Sequence, residues 1–440
     1  MNNKKWMAIL LGGIMAASLA APCSVSAAEK TTLTFWHAMG GTNGEVLQQI
    51  VDDFNASQDE IEIKAEYQGT YDDTITKLKA AMQSESGLPD VCQMYDVGTK
   101  FMYDSGAVIP VEDKFESTGY DKSSVMDVIS SYYTVEGKQY AMPFNVSTPM
   151  LYYNKDVFEA AGLDPETPPT TYDEVLEDAK KIVESGAAPV GYSQAIYGWF
   201  FEQQLAGLGV TYGNNDNGRK EAVTAVDFDS NGGGLKVFDM WKKLYDSGYF
   251  EDYGTTTADT QTAFFSGQVG MIIESTAILK NAVDSSPFEV GTGYLPRIEQ
   301  NDEGGVIIGG GSLWLTDTGN EANEDAAWKF IEYITTPDVQ AKWSMGTGYF
   351  AINEKAYETD DMKAYLEENP NFMTAINQLK DSPVNCNTAG VLSGVQTEAR
   401  LTFNEIMPQV YDGKLTTQDA VDQLAASVNK AIENYNESIK

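Results

Sequence analysis

Residues 32–99 alternate between strand-like and helix-like segments. Apolar side chains occupy every second position in 61–67, which is typical of a half-buried strand. In 47–54 and 75–82 they recur every three or four residues, as on one face of a helix, and the inward positions are predicted to be Leu47, Ile50, Val51, Phe54, Ile75, Leu78 and Met82. The predicted order of strand, helix, strand, helix, strand indicates an α/β protein with a parallel sheet. Ligands of such sheets lie beyond the carboxyl ends of the strands, so loops 69–71 and 96–99 should border a binding site.

Two prolines, Pro143 and Pro149, enclose a polar segment in the first half of the chain. Because proline fixes φ and lacks an amide N–H, we expect this segment to be extended, outside helices and outside the centre of a sheet. A hairpin around Glu136 and Gly137 should precede it, and an apolar strand should follow it. The segment suits either a hinge between two lobes, with Ser147 facing a cleft, or an ordinary polar loop.

The α/β pattern continues after residue 165. Helices are predicted at 172–185, 237–244, 325–335, around Arg400 and at 421–435, and strands at 190–193, 269–276 and 307–315. Ser275 lies where a strand gives way to a helix, so its hydroxyl suits either an anion site or an ordinary helix cap. Three glycines before Ser312 permit close approach of another group, and 346–350 is predicted to be a second crossing segment.

The net charge and the N-terminal segment indicate which partners the protein can bind and in which compartment it works. The 440 residues, enough for two to three domain-sized units, carry a formal charge of −36. Such an acidic chain is not expected to bind nucleic acid through its overall field. Residues 1–27 have the form of a secretory signal peptide, with two lysines and no acidic residue, so its removal leaves −38. Pro22 before Cys23 favours secretion without a lipid anchor, although an anchor at Cys23 stays open.

The sequence lacks the common catalytic and metal-binding motifs. His37 is the one histidine, which argues against histidine-rich metal sites and most catalytic triads, and no phosphate-binding P-loop or zinc-protease spacing occurs. The 65 acidic residues leave a glycosidase pair open, but no stretch singles one out. Cys92 and Cys386 remain after signal cleavage, either as a disulfide or as two idle thiols, and idle thiols are favoured. We therefore expect no enzyme activity, cofactor or metal.

Several longer segments carry a family resemblance. FWHAMGG, NVSTPMLYYNKDVFEAAGLDP, FFSGQVGM, IIGGGSLW and TGYFAI resemble segments of the extracellular solute-binding proteins of ABC importers (family 1). GTY, MYDVGT, PFNVSTP, IIGGGSLW and TGY together resemble their glycerophosphate-binding branch in particular. The resemblance implies a two-lobed fold, each lobe a sheet flanked by helices, with the ligand in the cleft between the lobes. Its expected lobes are 28–142 with 305–349, and 143–304 with 350–440.

The resemblance also implies a ligand and a set of site residues. It implies a periplasmic or extracellular, monomeric protein that captures glycerol 3-phosphate or a glycerophosphodiester and delivers it to a membrane permease. Arg400 and neutral donors would surround the phosphate, with buried carboxylates kept away, and Asp96 would hold the glycerol hydroxyls. The expected ligand-binding residues are Tyr71, Asp96, Ser147, Trp199, Ser275, Gly310 through its N–H, Tyr349 and Arg400.

Two departures from the family pattern bear on specificity. Asp96 stands where the pattern has a longer Glu, and Ile196 stands where it has a Trp. The space left beside Ile196 favours a larger diester such as glycerophosphocholine, and His37 is a second specificity candidate. Two alternatives stay open: an oligosaccharide-binding protein, which the aromatic residues suit, and a secreted glycosidase.

Overall fold

The computed structural model describes residues 30–84 and 87–439. The predicted signal peptide and Cys23 lie outside them. Within the described residues the chain forms these strands: β1 (Thr31–His37), β2 (Ile61–Tyr67), β3 (Val91–Tyr95), β4 (Val108–Ile109), β5 (Thr134–Val135), β6 (Lys138–Gln139), β7 (Met142–Ser147), β8 (Pro149–Asn154), β9 (Val190–Ser193), β10 (Val269–Ser275), β11 (Val290–Gly293) and β12 (Gly309–Thr316).

Helices connect and cover these strands. They are α1 (Gly41–Ser57), α2 (Tyr71–Met82), α3 (Thr99–Asp104), α4 (Val111–Thr118), α5 (Asp127–Ser130), α6 (Lys155–Ala160), α7 (Tyr172–Ser185), α8 (Gly198–Gly207), α9 (Asn214–Gly218), α10 (Gly233–Asp246), α11 (Thr257–Phe265), α12 (Leu279–Ser285), α13 (Glu321–Ile334), α14 (Pro337–Thr347), α15 (Asp360–Glu368), α16 (Asn371–Asp381), α17 (Gln396–Tyr411) and α18 (Thr417–Ser438). Short 3₁₀ turns lie at Asp96–Gly98, Lys122–Ser124, Ser131–Tyr133, Thr276–Ile278 and Glu354–Glu358.

The strands form two main sheets. The first has the order β2-β1-β3-β12-β4, with β7 also paired to β12, and the second has the order β11-β8-β10-β9. We call each sheet with its packed helices the first and the second lobe. The α/β class is confirmed, but both sheets are mixed: β12 runs antiparallel to β3, and β8 runs antiparallel to β10. The parallel arrangement expected for the strands of residues 32–99 is confirmed, because β1 pairs in parallel with both β2 and β3. The antiparallel strands β7, β8 and β12 come later in the chain.

The segment between the two prolines joins the two sheets. Met142–Ser147 is extended and pairs with β12 alone, so the expectation of an extended segment outside the centre of a sheet is confirmed, and Pro149 already begins β8 of the second sheet. Pro143 is tolerated because β7 has only one neighbouring strand and the pairing is irregular at Gly311 and Ser312. The chain therefore passes between the sheets at Thr148. The exact limits of the lobes stay a prediction.

Local patterns predict most of the packing. The hairpin is confirmed: β5 and β6 are antiparallel, and Glu136 and Gly137 both have the positive φ that a tight hairpin turn needs. In α1 the buried side chains are the predicted Leu47, Ile50, Val51 and Phe54. In α2, by contrast, Thr74, Leu78 and Ala81 are buried, while Ile75 and Met82 are only half-buried. The α2 face is rotated because Thr74 donates its hydroxyl proton to the carbonyl of Thr70 and can therefore be buried.

Two further sequence expectations concern the thiols and the membrane. Cys92 and Cys386 are both free, so the expectation of two idle thiols is confirmed. Within residues 30–84 and 87–439, no helix combines the length and the apolar character that crossing a bilayer requires.

Candidate functional site

Arg400 lies on α17, on the inner side of the second lobe. It is buried, and its guanidinium forms a bidentate pair with Glu202 of α8: Nε donates to Oε1 at 2.8 Å and Nη2 to Oε2 at 2.7 Å. The backbones of α8 and α17 meet closely here, because a Cβ on Gly198 would collide with the backbone of Arg400. This close packing places Glu202 beside the guanidinium, and Tyr197, directly before α8, also lies near it.

Asp96 reaches the same guanidinium from the first lobe. It follows β3, and its carboxylate accepts hydrogen bonds from Nη2 of Arg400 at 2.9 Å and from Nη1 at 3.4 Å. Burial alone would lower the pKa of Arg400, but Asp96 and Glu202 outweigh it and hold that pKa well above its ordinary value. Burial raises the pKa of Glu202, against the opposing effect of Arg400.

The three side chains form a buried triad that bridges the lobes. Four of the five guanidinium N–H groups are directed at carboxylates, so the triad carries one net negative charge when both acids are ionised. The expectation that carboxylates stay away from Arg400 is therefore wrong. Glu202 was not predicted, although it is the single charged residue in the apolar helix segment 198–206, where a charge is buried and needs a partner.

A chain of buried amides positions Tyr71 at the start of α2. Asn145 donates from Nδ2 to the Tyr71 hydroxyl at 2.7 Å, and Gln93 donates to Oδ1 of Asn145 at 2.7 Å. Tyr71 also stacks on Tyr95, with 5.1 Å between ring centroids, and lies within hydrogen-bonding reach of Tyr349. Burial is the main cause that raises the pKa of Tyr71, so its hydroxyl stays protonated at neutral pH.

Gly310 and Ser147 lie where β12 and β7 pair. Gly310 has φ +91°, and a Cβ there would collide with the carbonyl oxygen of Asn145, so only glycine fits. The close approach predicted for the three glycines is therefore confirmed, and β7 is one of the groups that approaches. Neighbouring Gly309 pairs with Ser147 and lies against the indole of Trp199, whose N–H is buried without a partner among the described residues.

Ser275 ends β10 on the second lobe. Its hydroxyl accepts a hydrogen bond from the Ala277 N–H at 3.2 Å, so the helix-cap interpretation is confirmed in this structure. Thr276 donates its N–H to the carbonyl of Thr148 at 2.8 Å, which ties this corner to the crossing segment. Gly348, directly before Tyr349, approaches the carbonyl of Thr276.

The predicted ligand-binding residues thus lie along one continuous series of contacts. It runs from Asp96 and Arg400 through Tyr197 to Trp199, then through Gly309 to Ser147, through Thr148 to Ser275, and through Gly348 to Tyr349 and Tyr71. Gly310 lies within this series. Residues close to it that the sequence did not single out are Gln93, Tyr95, Asn145, Glu202 and Glu274.

The two specificity candidates lie in the core. His37 is buried between Phe35 and Tyr67, its Nδ1 accepts the Met39 N–H, and burial lowers its pKa to about 4. Ile196 has no exposed surface and belongs to the apolar core of the second lobe. No hydrogen bond joins His37 to the predicted ligand-binding residues within the described part of the chain. The roles of both residues in specificity stay predictions.

Contacts away from the triad also hold the lobes together. The hydroxyls of Tyr95 and Thr397 are 2.8 Å apart, and Tyr435 of α18 donates to Asp104 of α3 at 2.6 Å. With the contact between Arg400 and Asp96, they place the inner surfaces of the lobes against each other. The structure is therefore a closed conformation.

Comparison with known proteins agrees with this architecture. Residues 49–374 match the family described as bacterial extracellular solute-binding protein. The sn-glycerol-3-phosphate-binding periplasmic protein UgpB of Escherichia coli strain K12 is 31% identical over 417 residues, which cover 93% of this chain and 94% of the relative.

Solved structures share the fold. UgpB of Mycobacterium tuberculosis in complex with glycerophosphocholine superposes with a TM-score of 0.78 at 20% identity, over 92% of this chain and 99% of that one. The cyclic α-maltosyl-1,6-maltose binding protein of Arthrobacter globiformis gives 0.76 at 26% identity, over 92% and 100%. The chain therefore belongs to the bacterial extracellular solute-binding protein family and is the non-enzymatic solute-binding component of an ABC importer.

Proposed function

We propose that this protein captures glycerol 3-phosphate or a glycerophosphodiester such as glycerophosphocholine in the cleft between its lobes. The observation that carries the proposal is a buried arginine at the meeting of the lobes, within the series of contacts that also contains Ser147, Ser275, Tyr349 and the Gly310 backbone. A guanidinium with neutral O–H and N–H donors suits a phosphate. The similarity to the glycerol-3-phosphate-binding UgpB supports the same ligand class.

The contacts within the triad suggest which groups would bind the phosphate and which the glycerol. Glu202 fixes Nε and one edge of Arg400, and the longest of the four hydrogen bonds, from Nη1 to Asp96 at 3.4 Å, is the one that a phosphate oxygen can replace most easily. The carboxylate of Asp96 then becomes an acceptor for glycerol hydroxyls. Arg400 would thereby hold the phosphate and Asp96 the glycerol from opposite lobes.

Closure of the lobes would couple capture to delivery. A ligand that contacts both lobes stabilises the closed form, which differs in surface from the open form. We propose that the closed monomer, in the periplasm or at the outer face of the membrane, docks on the permease of its importer and releases the ligand there.

Calorimetric titration of a protein that begins at residue 28 tests the ligand class. The titrants are sn-glycerol 3-phosphate, glycerophosphocholine and maltotriose. We expect binding of at least one phosphate ligand and none of maltotriose, and we expect Arg400→Ala to lose the phosphate ligand. Lys430→Ala, which removes an exposed cation on α18, is the control and should bind like the unmodified chain.

A second candidate, oligosaccharide binding, is favoured by one observation. Asp96, Glu202 and Arg400 together present both acceptors and donors, which suit sugar hydroxyls. Tyr197 lies near all three, and the ring of Trp199 lies 6.1 Å from that of Tyr197, centroid to centroid. Heat from maltotriose alone would support this candidate and would refute the phosphate ligand.

A further inference from the structure

Glu274 is a buried carboxylate without a cation. It precedes Ser275 near the end of β10 and is 4% exposed. Its Oε1 accepts the Ser275 N–H at 2.6 Å, and its Oε2 accepts a hydrogen bond from Nε2 of Gln261 on α11 at 2.9 Å. Unlike Asp96 and Glu202, which share Arg400, it forms no ion pair within residues 30–84 and 87–439.

The groups around Glu274 do not neutralise it. The titratable side chains that sense its charge are Tyr152 on β8 and Tyr197 before α8, and both stay neutral because burial raises their pKa. From α11 the uncharged Gln261 donates a hydrogen bond to it. Burial raises the pKa of Glu274 itself to about 7, against the opposing effects of its two hydrogen bonds.

The fold does not need this negative charge. A glutamine at position 274 can accept the same Ser275 N–H, and the Gln261 amide can turn to accept instead of donate. Two neutral hydrogen bonds would then replace an unpaired buried charge, whose burial costs stability. Packing therefore does not explain why a charged residue lies here. Ser275, whose N–H contacts Glu274, is one of the proposed phosphate ligands.

We propose that Glu274 determines which ligand charge the site accepts, by disfavouring a doubly negative phosphate monoester at Ser275 and admitting a diester whose headgroup carries a positive charge. The inference rests on the proposed function and narrows its ligand class. The net negative charge of the triad acts in the same direction. An amine or quaternary ammonium on the ligand would offset both.

Titration of the unmodified protein and of Glu274→Gln at pH 8 with three ligands tests the inference. Glycerol 3-phosphate carries nearly two negative charges at this pH, glycerophosphoglycerol carries one, and glycerophosphocholine has no net charge. Because the repulsion scales with ligand charge, we expect the substitution to tighten binding of the monoester about tenfold and of glycerophosphoglycerol about threefold. Glycerophosphocholine should change less than about twofold. Glu177→Gln, the same change on the exposed surface of α7, should alter none of the three.

A second measurement needs no variant. The charge of glycerophosphoglycerol is constant between pH 5.5 and 8.5, so its affinity for the unmodified protein should fall about threefold over this range as Glu274 ionises. Glycerophosphocholine should show no such fall. In Glu274→Gln this pH-dependent fall in affinity should disappear, while any fall that the ionisation of Glu202 causes should remain.

The outcomes separate the two proposals. The role of Glu274 would be overturned if Glu274→Gln changed the affinity for all three ligands equally, or if the affinity of Glu274→Gln for glycerophosphoglycerol still fell about threefold with rising pH. Either result would leave the proposal of phosphate binding intact. Binding of none of the phosphate ligands by either protein would overturn the proposed function and this inference with it.

Discussion

The ion pair between Asp96 and Arg400 joins the two lobes, so its loss should open the protein. In Asp96→Asn a neutral amide of the same shape replaces the carboxylate, so the attraction between opposite charges is lost and an NH₂ group stands in place of one acceptor oxygen. One of the two hydrogen bonds, at 2.9 Å, is well formed, and the other, at 3.4 Å, is weak. A hydrogen bond to a charged group contributes about 1.5–3 kcal/mol, so we assign about 2 kcal/mol to this pair. That corresponds to about a 30-fold shift from the closed toward the open form.

Small-angle X-ray scattering without ligand measures this shift. A compact chain of this length has a radius of gyration of about 22 Å, and we expect the unmodified protein near this value and Asp96→Asn above it. Glu202→Gln is the control, because Glu202 and Arg400 belong to the same lobe and their pair does not span the cleft. Identical scattering curves for Asp96→Asn and the unmodified protein would refute the view that this pair holds the lobes closed.

Three further predictions concern single side chains. Arg400→Ala leaves two buried carboxylates without a cation, so the free energy of unfolding, measured with urea, should fall by about 3–5 kcal/mol at pH 8. Because burial raises the pKa of Glu202, this acid takes up a proton more readily as the pH falls, and the loss should be smaller at pH 5; an equal loss at both pH values would contradict this. The pKa of His37 is lowered from 6.5 to about 4 on folding, so its neutral form contributes stability that is complete above pH 6.5 and falls by about 3 kcal/mol as the pH drops to 4. Urea unfolding of His37→Gln should lack this component, and the same pH profile in both proteins would show that His37 does not cause it. Ile196→Trp restores the Trp of the family pattern and would occupy the space that the resemblance predicts beside the glycerol, so calorimetry should show weaker binding of glycerophosphocholine by about tenfold or more. Unchanged affinity in a variant that folds normally would refute the prediction of free space beside Ile196.

Local patterns in the sequence predict the elements well and their arrangement less well. The spacing of Leu47, Ile50, Val51 and Phe54 predicts the buried face of α1, because a single amphipathic helix carries that information within one stretch. The direction of β12 cannot be predicted in this way. Its partner β3 lies more than two hundred residues earlier in the chain, and apolar alternation is the same for parallel and antiparallel neighbours.

The residues of the candidate site were likewise easier to predict than their contacts with one another. Resemblance singles out Arg400 and Asp96, and the structure brings them together although 304 positions separate them. It does not indicate that their charges pair directly, because each residue is assigned to a ligand and not to the other. Glu202 and Glu274 were hidden among 65 acidic residues, most of which belong to the surface. Both lie in strongly apolar stretches, and a charge in such a stretch is the signal that reveals a buried acid.

A crystal structure with bound glycerophosphocholine would show whether Arg400 holds the phosphate between the lobes. We expect the phosphate between the lobes, with its oxygens about 2.7–3.1 Å from the Arg400 guanidinium and from at least one of the Ser147, Ser275 and Tyr349 hydroxyls. Asp96 should have turned from Nη1 of Arg400 to the glycerol hydroxyls. A phosphate that lies outside this ring of residues, with the contacts of Arg400 to Asp96 and Glu202 unchanged, would contradict the account.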